Sequence, residues 1–491
     1  MYSSLRPIGP RAGATAILVA SWLLVTALPA AAHTGFESSS PADGDTIVEP
    51  VFEISLTFSG EATPAGDGFV VLDPAGVTRI PDEVTSSGDL TWTIRFDEPL
   101  AGGTVGVRWK VAAPDAHPIE GSFSFVVETP AVIAATSTTL SPTTLLPSTP
   151  TTAAPPEPAI AEALPATQVL SASVTLAEFL DTRAESAAGA ARVGDLGRVL
   201  SLLGVVFAFG GVAFAALTLR GDRRDIRAVL IWVRRAGLLT MIGAAIEAAV
   251  QIATVTSSWS GLWSSSAISD GLASAFGVAV LLRFSGGALV VAGTRLNVHR
   301  ASTADGDDAW HITKSPAAFV GAALLVLSFT FDGHTVSEGP RWVHAVANAI
   351  HVATAATWAG GVVMLALVIT RRRRRGADTR ALQLAVRFSV VATIALVAAA
   401  AAGAALTFVI LDSVSELWAT PWGRLLMAKV VLVSLAAAFG GHNHRTVIPA
   451  LERSPDNADT IRRFRTIVSI EAVLLIIVTV LTGVLIAASS T

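Results

Sequence analysis

The sequence predicts a small all-β domain joined to an α-helical polytopic membrane domain of eight transmembrane helices. Three observations predict it. Hydrophobic residues make up 52% of the 491, and Asp, Glu, Lys and Arg only 15%, against about 25% charge in ordinary soluble domains. Short period-two runs cluster before residue 128. After residue 197 come eight apolar stretches, separated by loops that alternate between Arg-rich and almost uncharged.

The same composition excludes several function classes. The formal net charge is −4 with no basic groove-like cluster, which argues against nucleic acid as a partner. The absence of Cys removes disulfides, thiolate metal sites and cysteine nucleophiles, and 4 Met are too few for a soft-metal ladder.

Residues 1–32 read as a secretory signal peptide. Arg6 and Arg11 form a positive start, an apolar run extends from about Ala14 to Leu28, and Ala30-Ala31-Ala32 offers a cleavage site. The apolar run is short for a membrane span. Cleavage after Ala32 leaves His33 as the mature N-terminus.

The β domain is expected over 33–128. Phe52–Phe58, Leu90–Phe96, Val105–Val111 and Ser122–Val126 alternate apolar and polar residues, and Gly, Pro, Asp and Ser clusters separate them. That pattern describes a sandwich or barrel of immunoglobulin size. Residues 129–196 read as a linker rich in Pro, Thr, Ser and Ala, with an amphipathic helix conceivable around Val174–Ala191. About 65 flexible residues would span roughly 40–50 Å.

The spans are expected near 197–219, 234–255, 272–294, 316–333, 342–369, 386–411, 424–441 and 466–488, each near the 20 residues a bilayer requires. Basic loops follow the first, third, fifth and seventh. The excess of Arg on one side places those loops in the cytoplasm. The chain is therefore expected in the cytoplasmic membrane, in contact with the lipid bilayer, with its N-terminal domain extracytoplasmic. The run Arg371–Arg375 reads as part of this orientation signal.

Candidate site residues fall in two groups. In the mature chain, His33 would present an amine and an imidazole together, a pair suited to Cu(II). Asp115 and His117 are two apart, so an extended segment turns both toward one face. Within the spans, His344, Asn348, His351 and Trp358 share one stripe of the fifth helix, with His334 just before it. Glu247, Arg283, Lys429 and Glu471 are intramembrane charges, which are functional candidates by default. Ion pairing is the expected role of Arg283 and Lys429. Proton or metal binding is the alternative for Glu247 and Glu471. His442 and His444 are expected at a solvated loop end, with receipt of an exiting ion as the alternative.

His33-Thr34-Gly35-Phe36 through Pro41-Ala42-Asp43-Gly44, with Val107–Val111 and Asp115–Phe125, resembles the CopC copper-binding proteins. The resemblance implies a Greek-key β fold and a Cu(II) site made by His33, Asp115 and His117. No Met lies between 33 and 128, so the Met-rich Cu(I) site of some relatives is expected to be missing. Residues 197–488 resemble the CopD copper-transport membrane proteins. This likeness is carried by Phe276-Gly277 with Arg283, Gly333-His334, His344 to Gly361, Arg387-Phe388-Ser389, Pro421–Leu426 with Lys429, and Glu471.

The whole chain thus resembles a CopC–CopD fusion. Its expected function is capture of copper outside and import along a His-lined path, without enzymatic turnover. Nucleotide-binding motifs are missing, so the membrane potential is the expected driver. Export or copper resistance, sequestration or sensing without transport, and a histidine-brace oxidative enzyme are the alternatives. The sequence leaves the oligomeric state open.

Overall fold

The computed structural model describes residues 35–113, 118–128, 175–181, 185–256, 258–295, 298–300, 308–311, 315–331, 341–410 and 413–488. The expected signal peptide lies outside these residues, as do residues 129–174 of the expected linker.

The N-terminal domain is a two-sheet sandwich. One sheet has the order β1-β3-β7-β6, built from Phe36–Ser40, Glu53–Phe58, Thr91–Arg95 and Glu83–Ser87. The other has the order β2-β9-β8-β4-β5, built from Thr46–Ile47, Pro118–Val127, Gly103–Ala112, Thr63–Leu72 and Thr78–Arg79. Strand alternation sends Ile54, Leu56 and Phe58 of β3 inward to meet Val105, Val107, Trp109 and Val111 of β8 and Phe123, Phe125 and Val127 of β9. The Phe36 ring stacks on Trp109 at 5.4 Å between centroids. Phe36 pairs with Phe58 at the end of β3, and Ala112 pairs with Pro118 at the far end of the β8–β9 ladder. Thr63 also pairs with Ala112. One end of the sandwich therefore gathers the chain just after His33 and the two flanks of Asp115 and His117.

Part of the expected linker is helical. A short helix α1, Leu176–Leu180, precedes α2, Glu185–Leu217. The bundle continues with α3 (Arg223–Val255), α4 (Ser265–Ala273), α5 (Ala275–Gly293), a hairpin of β10 (Val298–Arg300) and β11 (Asp308–Trp310), and α6 (Pro316–Leu327). A 3-10 turn, Ser328–Phe331, extends α6. Then come α7 (Arg341–Arg374), α8 (Ala381–Ile410), α9 (Glu416–Ala419), α10 (Pro421–His442), a π-helical turn (Asn443–Val447), α11 (Ile448–Arg453) and α12 (Ala458–Ala488).

Among the described residues, seven helices are long and apolar enough to cross a membrane. The eighth expected span is the shorter apolar segment Pro316–Phe331. Its α and 3-10 parts rise about 26 Å together, slightly under a typical hydrocarbon thickness. Length alone does not make it a span. Helix α2 sits centrally and packs on α3, α7 and α12, while α8 packs on α7, and α10 on α12.

The bundle is locked at the end that carries the arginine run. Asp225 of α3 is buried and accepts a 2.6 Å bond from Arg372 Nε, and Arg375 pairs with its other oxygen. Arg372 also donates to the Thr379 carbonyl at 3.0 Å. Two members of the expected orientation signal are thus drawn into a buried ion cluster, which offsets their desolvation.

Candidate functional site

Helix α7 positions the polar stripe. Seven residues are nearly two turns, so His344, His351 and Trp358 rise on one face at roughly 10 Å intervals. His344 is buried at 3% exposure. Asn348 Nδ2 donates to the Phe329 carbonyl at 2.8 Å. The His351 ring bonds through Nδ1 to the Ala399 carbonyl of α8 at 2.8 Å. Trp358 Nε1 donates to Glu471 Oε1 of α12 at 3.2 Å. Asn348, His351 and Trp358 therefore each bond to another element of the protein.

The His351 ring sits where α8 lacks a side chain. A Cβ built at Gly403 would lie 2.9 Å from the imidazole Cε1, so the ring occupies room that only glycine leaves.

Two acidic candidates have opposite surroundings. Glu247 of α3 takes a 2.6 Å bond from Arg283 of α5, with side-chain exposures of 4% and 2%. The Arg283 guanidinium also lies 5.0 Å from the Phe329 ring centroid. Phe329 thus joins the ion pair to Asn348 and hence to α7. Arg283 has the pairing expected of it. Lys429 does not, since no carboxylate stands within ion-pair distance of it among the described residues.

Glu471 has no cationic partner among the described residues; its bond comes from the neutral Trp358. It borders a cavity of about 680 Å³ between α7, α8, α10 and α12, whose wall includes Trp358, Ser389, His442, Asn443 and His444. The His444 ring bonds Ser389 through Nδ1 at 2.8 Å, and Arg463 meets His442 Nε2 at 2.9 Å. Asn443 is buried, and its Oδ1 has no hydrogen-bond partner among the described residues. The π turn at 443–447 inserts an extra residue into the helical register, a device frequent at functional sites. His442 and His444 lie on a helix end and π turn rather than a loop; His444 is exposed, as expected of a solvated end, and both line this cavity with hydrogen-bond partners on α12 and α8.

His33, Asp115, His117 and His334 lie outside the described residues. Among the described residues, no three His, Asp or Glu side chains gather as a metal-holding group.

Residues 36–128 match the CopC domain family, and residues 382–485 match the family described as copper resistance protein D. Over 118 residues the chain is 36% identical to copper resistance protein C of Pseudomonas syringae pv. tomato, covering 23% of this chain and 92% of that relative. The chain belongs to the CopC family. It carries a CopD domain behind its CopC domain, as the sequence motifs imply. The chain is also similar to the inner membrane protein YebZ of Escherichia coli K12, at 29% identity over 130 residues, 26% of this chain and 43% of that relative. A solved structure of PcoC, a methionine-rich copper resistance protein from Escherichia coli, aligns at 28% identity over 20% of this chain and 100% of that one, with a TM-score of 0.18. With its CopC and CopD domains, the chain is a copper-resistance or copper-transport-related protein of multi-pass membrane type.

Proposed function

We propose that the CopC domain captures Cu(II) outside the cytoplasmic membrane at His33, Asp115 and His117 and delivers it to the CopD bundle for import. His334 and His344 receive the ion, Asn348 and His351 carry it inward, and Glu471 passes it to the cavity bordered by His442 and His444. The observation that carries this reading is the bond from Trp358 to Glu471. It joins the α7 stripe, which begins near one face of the bundle, to a cavity near the opposite, arginine-rich end.

The excess of Arg at that end sets it in the cytoplasm. Alternation of the basic loops then requires Pro316–Phe331 to cross the bilayer as an eighth, short span. The membrane potential favours inward movement of a cation by about 2.3 kcal/mol per charge per 100 mV. Paired with Arg283, Glu247 serves packing rather than transport. The protein moves an ion and performs no chemical conversion.

The similarity to copper resistance protein C and to the copper resistance protein D family favours a second reading in which the chain protects cells by export or sequestration. Elemental mass spectrometry of cells at low external copper separates the readings. Import predicts more cell copper with the parent chain than with empty vector, and a return to the empty-vector level with His351→Ala. Lower copper with the parent chain reverses the direction. Equal copper in all three leaves binding without transport.

A further inference from the structure

We infer that helix α1 is an intramolecular clamp that seats the copper-binding domain on the membrane bundle, so that residues 129–174 are not the tether between the two halves. The surface that receives α1 is built for it. Strand β4 ends Phe69-Val70-Val71-Leu72, apolar on both faces, where a half-solvated strand would alternate. Phe69 and Val71 enter the sandwich core, whereas Val70 and Leu72 point outward, where they form a small second core with Phe179. Phe179 is 3% exposed, and Leu176 and Leu180 flank it.

Three further contacts fix the pose. The Arg108 guanidinium lies 5.0 Å from the Phe179 ring centroid. Ser122 Oγ of β9 donates to the Leu180 carbonyl at 2.8 Å, which satisfies a helix-terminal acceptor. At Gly106 the sheet is bare, and a Cβ there would stand 2.9 Å from Leu176 Cδ1 and 3.0 Å from Phe179 Cδ1. Thr175 caps the helix by accepting from the Glu178 amide.

The consequence is geometric. Residues 129–174 leave the β domain after Glu128 and return to it at Thr175, as an excursion closed on one body. The chain that bridges to the membrane is 181–184, between Leu180 and Glu185 of α2. That reach is at most about 18 Å at the extended spacing per residue, well short of the 40–50 Å of a free linker. Strand β4 also contacts α3 directly. Confinement to a volume about tenfold smaller raises the effective concentration of donor over acceptor by the same factor.

The chain contains no Cys, so introduced thiols label specifically. Spin labels at Ser87→Cys, on an exposed strand, and Ser265→Cys, at the start of α4, report the distance between the halves in full-length protein in nanodiscs. The clamp predicts a narrow distribution. Phe179→Asp, which leaves every sandwich residue intact, and Gly106→Leu, which fills the bare spot, should each broaden it at least twofold. A parent distribution already as broad as the Phe179→Asp one overturns the clamp, and so does a narrow distribution in both variants.

The delivery role rests on the import reading and has its own readout. Uptake at low copper sulfate should fall about tenfold in Phe179→Asp, with the Cu(II) resonance spectrum of the protein unchanged. Unchanged uptake with a broadened distance removes the delivery role and leaves the clamp. Loss of import in the parent chain itself would strike the transport reading without touching the distances.

Discussion

Glu247 and Glu471 lie in one bundle, each 5% exposed, and their surroundings are opposite. Around Glu247, Arg283 supplies a full opposite charge and Phe329 covers the guanidinium, so the region is closed and neutralised. Around Glu471 there is one neutral donor and open volume. A buried carboxylate with a fixed cation is a brace. One without a cation retains the capacity to take a mobile one. The difference fits the proposed function, in which the α3–α5 side of the bundle supplies stability and the α7–α12 side handles the ion.

That contrast can be broken at several points. The largest expected effect is on the brace. Arg283→Leu strands a buried carboxylate and should cost about 3–5 kcal/mol, whereas the Glu247→Leu/Arg283→Leu pair should come close to the parent; thermal unfolding in detergent reads both. If the two variants unfold alike, the pair is not the brace described. Next in size is Gly403→Ala, whose methyl must push the His351 ring aside at about 1–3 kcal/mol. It should lower copper accumulation together with stability.

Glu471→Gln sharpens the comparison from the other side. An amide oxygen still accepts from Trp358, so the stability change should stay within about 1 kcal/mol, while copper accumulation falls toward the empty-vector level. Loss of stability without loss of accumulation would make Glu471 a second brace. The smallest effect belongs to Ser389→Ala, which removes one bond to His444 and should cost about 0.5–1.5 kcal/mol. Its readout is a modest fall in accumulation, since the His444 ring loses its orientation at the cavity wall.

Local spacing made one part of this site legible and concealed another. Period-two runs announced the sandwich core through Ile54, Leu56 and Phe58, and the seven-residue spacing of His344, His351 and Trp358 announced the stripe. The Trp358–Glu471 contact joins residues 113 positions apart, and no local periodicity encodes such a meeting. The cavity was hidden for a different reason. It depends on a π turn, which leaves no mark in an apolar pattern of helical period. Buried Asp225 reads in sequence as one acid in a basic loop. The clamp left one signal, the doubly apolar Phe69–Leu72, which a count of alternation alone passes over. The short α1 offers too few residues for a period to show.

The closed excursion of residues 129–174 has a consequence for how the chain survives damage. A protease acting there would sever the polypeptide yet leave the sandwich and α1 on opposite fragments of a shared interface, held by Phe179, Val70 and Leu72. The two pieces should co-purify as a nicked complex and part only when that small core is disrupted. Covalent continuity through the excursion is then dispensable for keeping donor and bundle together, and its length is free to drift.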